Sequence, residues 1–171
     1  AALLTVAPVA ATAIANPGAS FGVSSVAKAD DTKSINASLS LANPTLFKDG
    51  TKVSDLDWNT NVTVDGKPGY ATGTVNLYDM TANSGIKKDD NGNYTIPTGV
   101  TAVDPGTKLV AGHKYIAAMK NPTIYGNNIK TGTSYTLNND SAAATKVTNS
   151  RITTGTTTKA TYITSSPMTV H

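Results

Sequence analysis

The chain has 171 residues, enough for one ordinary domain, and its formal net charge is +3. Charged residues make up only 15% of it, Arg151 is the sole arginine, and no basic run exceeds two lysines, which argues against a nucleic-acid-binding protein. Glutamate, glutamine and cysteine are absent, so disulfides and thiolate metal sites are excluded. Thr, Asn, Ser, Ala and Gly dominate, and this composition predicts an all-β domain of short strands joined by turns.

The first 15 residues form an apolar run of small side chains, too short and too interrupted by proline to span a bilayer. Such a run is typical of the hydrophobic part of a secretory signal peptide. Small-residue cleavage sites occur at residues 13–15 and 27–29, and a polar run follows the second. We therefore assign residues 1–29 to a processed signal-peptide remnant and residues 30–171 to a mature domain without an integral membrane segment. The alternative is an Ala-rich start that folds onto the domain.

Three strands are predicted in the first part of this domain. Residues 34–41 alternate polar and apolar side chains, which places the apolar ones on one face. Residues 61–64 form a second strand candidate, ended by a turn at residues 65–69. Residues 70–78 alternate again and predict a third strand.

Further short strands follow in the second half of the chain. An Asn-Gly pair at residues 91–92 predicts a hairpin turn before residues 94–96, and Pro97 marks a strand end. The other predicted strands are residues 123–125, 134–137, 146–148 and 161–164. The Thr-rich residues 153–158 fit either a mobile loop or a polar strand.

One local pattern points to a particular kind of sandwich. Leu109, Gly112 and Tyr115 form a Leu-x-x-Gly-x-x-Tyr sequence that enters a strand. It resembles the tyrosine corner of immunoglobulin-like and fibronectin-type domains, in which the Tyr hydroxyl bonds to upstream backbone. The alternative is a tyrosine that only packs in a strand. The predicted fold is therefore an immunoglobulin-like β-sandwich of short antiparallel strands.

The sequence contains no pattern that predicts an enzyme, a cofactor site or a metal site. The two histidines, His113 and His171, lie in the predicted corner and at the last position, and no nucleophile motif accompanies them. Residues 89–93 carry oxygen ligands at alternating positions but lack the closing Glu of a calcium loop, so a hairpin turn is the better interpretation.

Two segments carry a resemblance to the S-layer proteins of lactobacilli. Residues 1–13, AALLTVAPVAATA, resemble the signal-peptide core of that family, and residues 34–38, SINAS, are similar to the opening found just inside its mature members. The resemblance implies an N-terminal region that assembles a two-dimensional lattice. It also implies C-terminal repeats that bind cell-wall teichoic acids, and such Lys- and Tyr-rich repeats do not occur in these residues.

On this basis we expect a secreted structural component of a surface layer on the cell wall. Its partners would be copies of itself and, as an open alternative, other S-layer proteins. Tyr94 and Tyr125, near predicted loop tips, are expected close to lattice contacts. The competing interpretation is an adhesin-type module that binds host matrix or glycans through its loops. An assembler should form sheets alone, whereas a pure binder should stay monomeric.

Overall fold

The first strand shows why this sequence folds as β-structure. In β1, Ile35, Ala37 and Leu39 are buried, and the polar residues between them are exposed. This period of two puts one face of the strand in a core and the other in water. The computed structural model describes residues 32–171, and the predicted signal-peptide remnant, residues 1–29, lies outside the described residues.

The described part of the chain contains thirteen strands and two short 3₁₀ turns, joined by loops. The strands are β1 (Thr32–Leu41), β2 (Trp58–Val64), β3 (Lys67–Thr72), β4 (Val75–Asp79), β5 (Lys87–Lys88), β6 (Tyr94–Thr95), β7 (Lys114–Lys120), β8 (Thr123–Gly126), β9 (Ser134–Leu137), β10 (Thr145–Thr148), β11 (Arg151–Thr154), β12 (Tyr162–Thr164) and β13 (Met168–Thr169). The 3₁₀ turns are Pro44–Leu46 and Val53–Asp55.

Seven strands form the larger sheet, in the order β10-β11-β8-β3-β2-β1-β9. The neighbours from β10 to β1 pair antiparallel. A two-residue turn joins β2 to β3, and both its residues, Asp65 and Gly66, have the positive φ that a type I′ hairpin requires. The two end strands of this sheet, β9 and β10, contact each other. The Thr145 hydroxyl on β10 donates a hydrogen bond to the Tyr135 carbonyl oxygen on β9 at 2.8 Å.

The second sheet is built around β7. β4 pairs with one edge of β7, and β12 and β13 pair with its two ends along the other edge, all antiparallel. β7 is buried on both faces: Tyr115, Ala117 and Met119 join the main core shared with the seven-stranded sheet, whereas Ile116 and Ala118 join a second core. The segment that carries the β5–β6 hairpin covers this second core, so the fold has three layers.

The prediction of one strand over residues 70–78 is wrong. The chain leaves the larger sheet after β3 and enters the second sheet at β4. It crosses at Gly73, where a Cβ atom would lie 2.7 Å from Met119 Cγ, so the crossing requires glycine. Beyond the crossing, Leu77 and Tyr78 are both buried, because β4 also lies between the two cores.

The prediction of an all-β fold of antiparallel strands is confirmed, and its sheets pack in sandwich-like layers. Most individual strands are also found near their predicted positions, including β1, β8, β9, β10 and β12. The immunoglobulin-like topology stays a prediction.

Candidate functional site

The side of the seven-stranded sheet that points away from the main core is here called the outer face. Its residues alternate with the buried ones along each strand. They include Asn36, Ser38, Ser40, Asn59, Asn61, Thr63, Pro68, Tyr70, Thr72, Thr123, Tyr125, Ser134, Thr136, Lys146, Thr148, Arg151 and Thr153. The outer face is therefore made almost entirely of hydroxyl, amide and phenol groups.

Charge on the outer face is confined to one end. Lys146 and Arg151 lie on β10 and β11, whereas the outer-face residues of β8, β3, β2 and β1 are uncharged. Burying this central part against another surface would not require charged groups to lose their water.

Two stacked tyrosines stand at the border of this uncharged region, where Arg151 on β11 lies directly opposite Tyr125. Tyr70 on β3 and Tyr125 on β8 are directly opposite each other in the sheet. Their ring centroids are 4.9 Å apart and their planes differ by 9°. Tyr70 is 54% exposed, the most exposed large apolar side chain of the described residues. Cross-strand aromatic pairs of this kind stabilise a sheet, and this one leaves about half of the Tyr70 side chain open to solvent and to a partner.

Glycines beside the pair allow the two strands to meet. Gly69 pairs with Gly126 one position along from the tyrosines. A Cβ atom at Gly69 would collide with the Tyr125 carbonyl oxygen, which belongs to the backbone and cannot rotate away. Glycine at position 69 therefore places β3 close enough to β8 for the rings to stack.

The predicted tyrosine corner has a defined geometry. Tyr115 is buried, and its hydroxyl oxygen accepts a hydrogen bond from the Val110 N–H at 3.1 Å. Gly112 has a φ of +85°, and Leu109 is buried in the same core as Tyr115. Burial raises the pKa of Tyr115 above its ordinary value, the Val110 hydrogen bond acts in the opposite direction, and nearby aspartates raise it further.

The same arrangement occurs a second time, and sequence reasoning missed it. Ile129, Gly132 and Tyr135 repeat the spacing apolar-x-x-Gly-x-x-Tyr. The Lys130 N–H donates to the Tyr135 hydroxyl oxygen at 3.1 Å, and Gly132 has a φ of +86°. Both turns end on a tyrosine at or next to the start of a strand, β7 or β9. The repeated spacing is visible in the sequence and was a sufficient signal for the second turn.

Tyr94, the other predicted contact residue, does not lie on the outer face. It is half-buried in the β5–β6 hairpin, packs against the second core, and has Lys88 Nζ 5.6 Å from its ring centroid. The structure therefore places Tyr94 and Tyr125 on different sheets. It brings Tyr125 together with Tyr70, which the sequence had not marked.

His113 takes part in a local hydrogen-bond cluster. Its Nδ1 lies 2.7 Å from Asp79 Oδ2, and the other carboxylate oxygen of Asp79 accepts from the N–H groups of Thr81 and Ala82. This cluster joins the loop before β7 to the end of β4. In residues 32–171, no group of three or more His, Cys, Asp or Glu side chains is arranged to hold a metal ion.

Comparison with known proteins adds no relative: no family model, curated protein or solved structure matches the chain. Among the described residues, no helix is long and apolar enough to cross a bilayer. The functional argument therefore depends on the chain's own residues.

Proposed function

We infer that this chain is a structural component of a bacterial surface layer, and that it assembles into a two-dimensional lattice through its outer face. The observation that carries the proposal is the Tyr70–Tyr125 stack in the middle of the seven-stranded sheet, with Tyr70 exposed on a polar face whose charged residues lie only on β10 and β11. The resemblance of residues 1–13 and 34–38 to S-layer proteins of lactobacilli supports the same assignment.

The chemistry of the outer face suits contact between identical copies. Its hydroxyl and amide groups can both donate and accept hydrogen bonds, so a patch of them can pair with a second copy of itself across a two-fold axis. Tyrosine is enriched in protein interfaces, because its ring contributes apolar area while its hydroxyl keeps a hydrogen-bond partner.

Such contacts are weak one at a time, and a lattice multiplies them. Each copy is held by several neighbours, so the loss of one contact does not release it. The small number of ions on the central strands lowers the cost of forming each contact.

The proposal includes a location and partners. The protein acts outside the cell, on the cell wall, and its partners are copies of itself, with other S-layer proteins as an alternative. We further propose that attachment to teichoic acid is made by C-terminal repeats of the kind that the resemblance to S-layer proteins implies.

The test is electron microscopy of the purified chain after dialysis out of guanidinium, as a function of protein concentration. We expect ordered sheets from the parent. In the double variant Tyr70→Ala/Tyr125→Ala, we expect the concentration needed for sheets to rise at least about tenfold, because central aromatic residues dominate interface energy.

The control is Val110→Ala. Val110 is also large, apolar and 44% exposed, but it lies in the loop before β7, away from the outer face. It should leave assembly unchanged. If the parent stays monomeric, or if the double variant and the control form sheets alike, the outer-face proposal is wrong. Tyr94→Ala in the same assay tests the separate prediction that Tyr94 lies near a contact.

A further inference from the structure

A concave surface of different character lies beside the edge of β1. This polar groove has a volume of about 440 Å³ and lies between β1, the β5–β6 turn, the residues after β9 and the β12–β13 connection. Its defining residues are Asn36, Asn91, Asn93, Tyr94, Asn138 and Tyr162. The volume is within the range of sites that bind small molecules.

The lining of the polar groove is neutral and rich in hydrogen-bonding groups. Asparagine, serine and threonine supply most of it, together with the two tyrosines, and Lys88 is its one charged residue. A second cleft of about 290 Å³ continues from it and shares Asn93, Tyr94, Asn138 and Tyr162. The charged residues of that cleft are Asp89, Asp140 and Lys159. Across both, two lysines are offset by two aspartates.

The groove is held in place by hydrogen bonds within the protein. Asn138 joins it to β1, because its Oδ1 accepts from the Ala37 N–H and its Nδ2 donates to the Ala37 carbonyl oxygen, both at 2.8 Å. Asn93 Nδ2 donates to the Asn138 carbonyl oxygen at 2.9 Å. The turn below is closed by Asp89, which accepts from the N–H groups of Asn91 and Asn93. A ligand would therefore meet a preorganised surface.

Other groups in the same groove are available to a ligand. Asn91 and Asn139 are exposed, and among the described residues their side chains make no hydrogen bond. Each amide offers an acceptor and two donors. Tyr94 and Tyr162 are half-buried and add aromatic surface next to these amides.

From this combination we propose that the polar groove binds a neutral oligosaccharide. Paired donors and acceptors match the hydroxyl groups of a sugar, and aromatic rings match the apolar faces of its rings. The balanced charges give no preference for a polyanion. The groove shares Asn36 and Ser38 with the outer face, but it lies apart from the tyrosine stack on β3 and β8. The proposal does not rest on lattice assembly, because binding of a soluble sugar is measured without it.

The competing ligand is an extended peptide that pairs with β1 beside Ala37, on the side of β1 where β9 also pairs. Ala37, the residue best placed for such pairing, already uses both its N–H and its carbonyl in bonds to Asn138. A peptide would have to displace that side chain, so the structure favours the sugar.

The experiment is a titration of the full ¹⁵N-labelled chain, followed by NMR, with three probes: chitotetraose, maltotetraose and polyglycerol phosphate. We expect saturable shifts with at least one of the two neutral probes, confined to the groove and including the side-chain amides of Asn91 and Asn139. Polyglycerol phosphate should produce no saturable shifts in the groove.

The variant Asn36→Ala/Asn91→Ala removes two exposed amides and should weaken binding about tenfold, as expected for lost hydrogen bonds. Asn91→Ala alone changes only an exposed turn and should weaken it a few-fold. The matched control is Asn76→Ala, an exposed strand asparagine on β4 outside the groove, which should bind like the parent.

Three results would overturn the proposal. The first is that neither neutral probe saturates up to about 10 mM, a range that covers weak binding. The second is equal affinity in the groove variant and the control. The third is saturation by the anionic polymer alone. Displacement of the Ala37 backbone signals by a short extended peptide, without any response to sugars, would assign the groove to peptide binding instead. If the chain binds sugar but forms no ordered lattice, the assembly proposal is wrong and the sugar-binding proposal is supported.

Discussion

Asn138 should stabilise the domain far more than its neighbour Asn139, although both have the same side chain and a similar backbone. Both residues are in the left-handed region, with φ of +50° and +61°. Asparagine adopts this region more readily than alanine does, so replacement by alanine costs each of them about 1 kcal/mol. Only Asn138 also makes two side-chain hydrogen bonds to β1.

The expected difference follows from those two bonds. A net contribution of about 1 kcal/mol for each gives about 2 kcal/mol, and Ala37 is left with an unpaired N–H and carbonyl. Water can reach both groups through the polar groove, which keeps the loss near this figure. We expect Asn138→Ala to lower the free energy of unfolding by about 3 kcal/mol and Asn139→Ala by about 1 kcal/mol.

Equilibrium unfolding in guanidinium, followed by tyrosine and tryptophan fluorescence, measures both variants under the same conditions. The midpoint of Asn138→Ala should fall below that of Asn139→Ala by roughly 0.5 M, given the usual slope for a domain of this size. Equal midpoints would refute the reasoning, because the side chain of Asn138 makes the two bonds to Ala37 and the side chain of Asn139 makes neither.

Two further predictions concern the buried tyrosines. Tyr115→Phe and Tyr135→Phe each remove one hydrogen bond to backbone while keeping the ring, so each should lower the free energy of unfolding by about 1 kcal/mol. Thermal unfolding measures both variants. A lower melting temperature in Tyr115→Phe alone would show that the two turns do not stabilise the fold equally. Burial, with a smaller contribution from Tyr162, raises the pKa of Tyr78 above its ordinary value of 10.0. The unfolded chain then loses this proton first as the pH rises, so the stability that neutral Tyr78 contributes is complete below pH 10.0 and decreases above it. Denaturation between pH 8 and pH 11 should accordingly show a smaller alkaline loss in Tyr78→Phe than in the parent, and an identical loss in both would contradict this assignment.

Local patterns were sufficient to predict most strands. The alternation in residues 34–41 corresponds to β1, and the Asn-Gly pair at residues 91–92 lies in the turn of the β5–β6 hairpin. Both signals depend on residues a few positions apart, which is the range that periodicity and turn chemistry cover. The Thr-rich residues 153–158, part of which belong to β11, fit either a loop or a strand, because a polar strand face and a loop have similar compositions.

The candidate sites were predicted less completely. Tyr125 was marked as a contact residue, but its partner Tyr70 was not, because the two are adjacent only through the β3–β8 register. Asn138 carried no signal at all. Its role depends on an approach to Ala37 from 101 positions away in the chain.

The sequence by itself determined the all-β class, the turn positions and the Leu109, Gly112 and Tyr115 pattern, because these depend on neighbours along the chain. Only the tertiary structure decided that residues 70–78 divide between two sheets, that Tyr70 stacks on Tyr125, and that separate segments enclose a polar groove. The physical reason is that strand register and sheet order follow from the packing of the whole core. An alternating strand presents the same apolar face to any partner of matching pattern, so its own residues cannot specify which partner it meets.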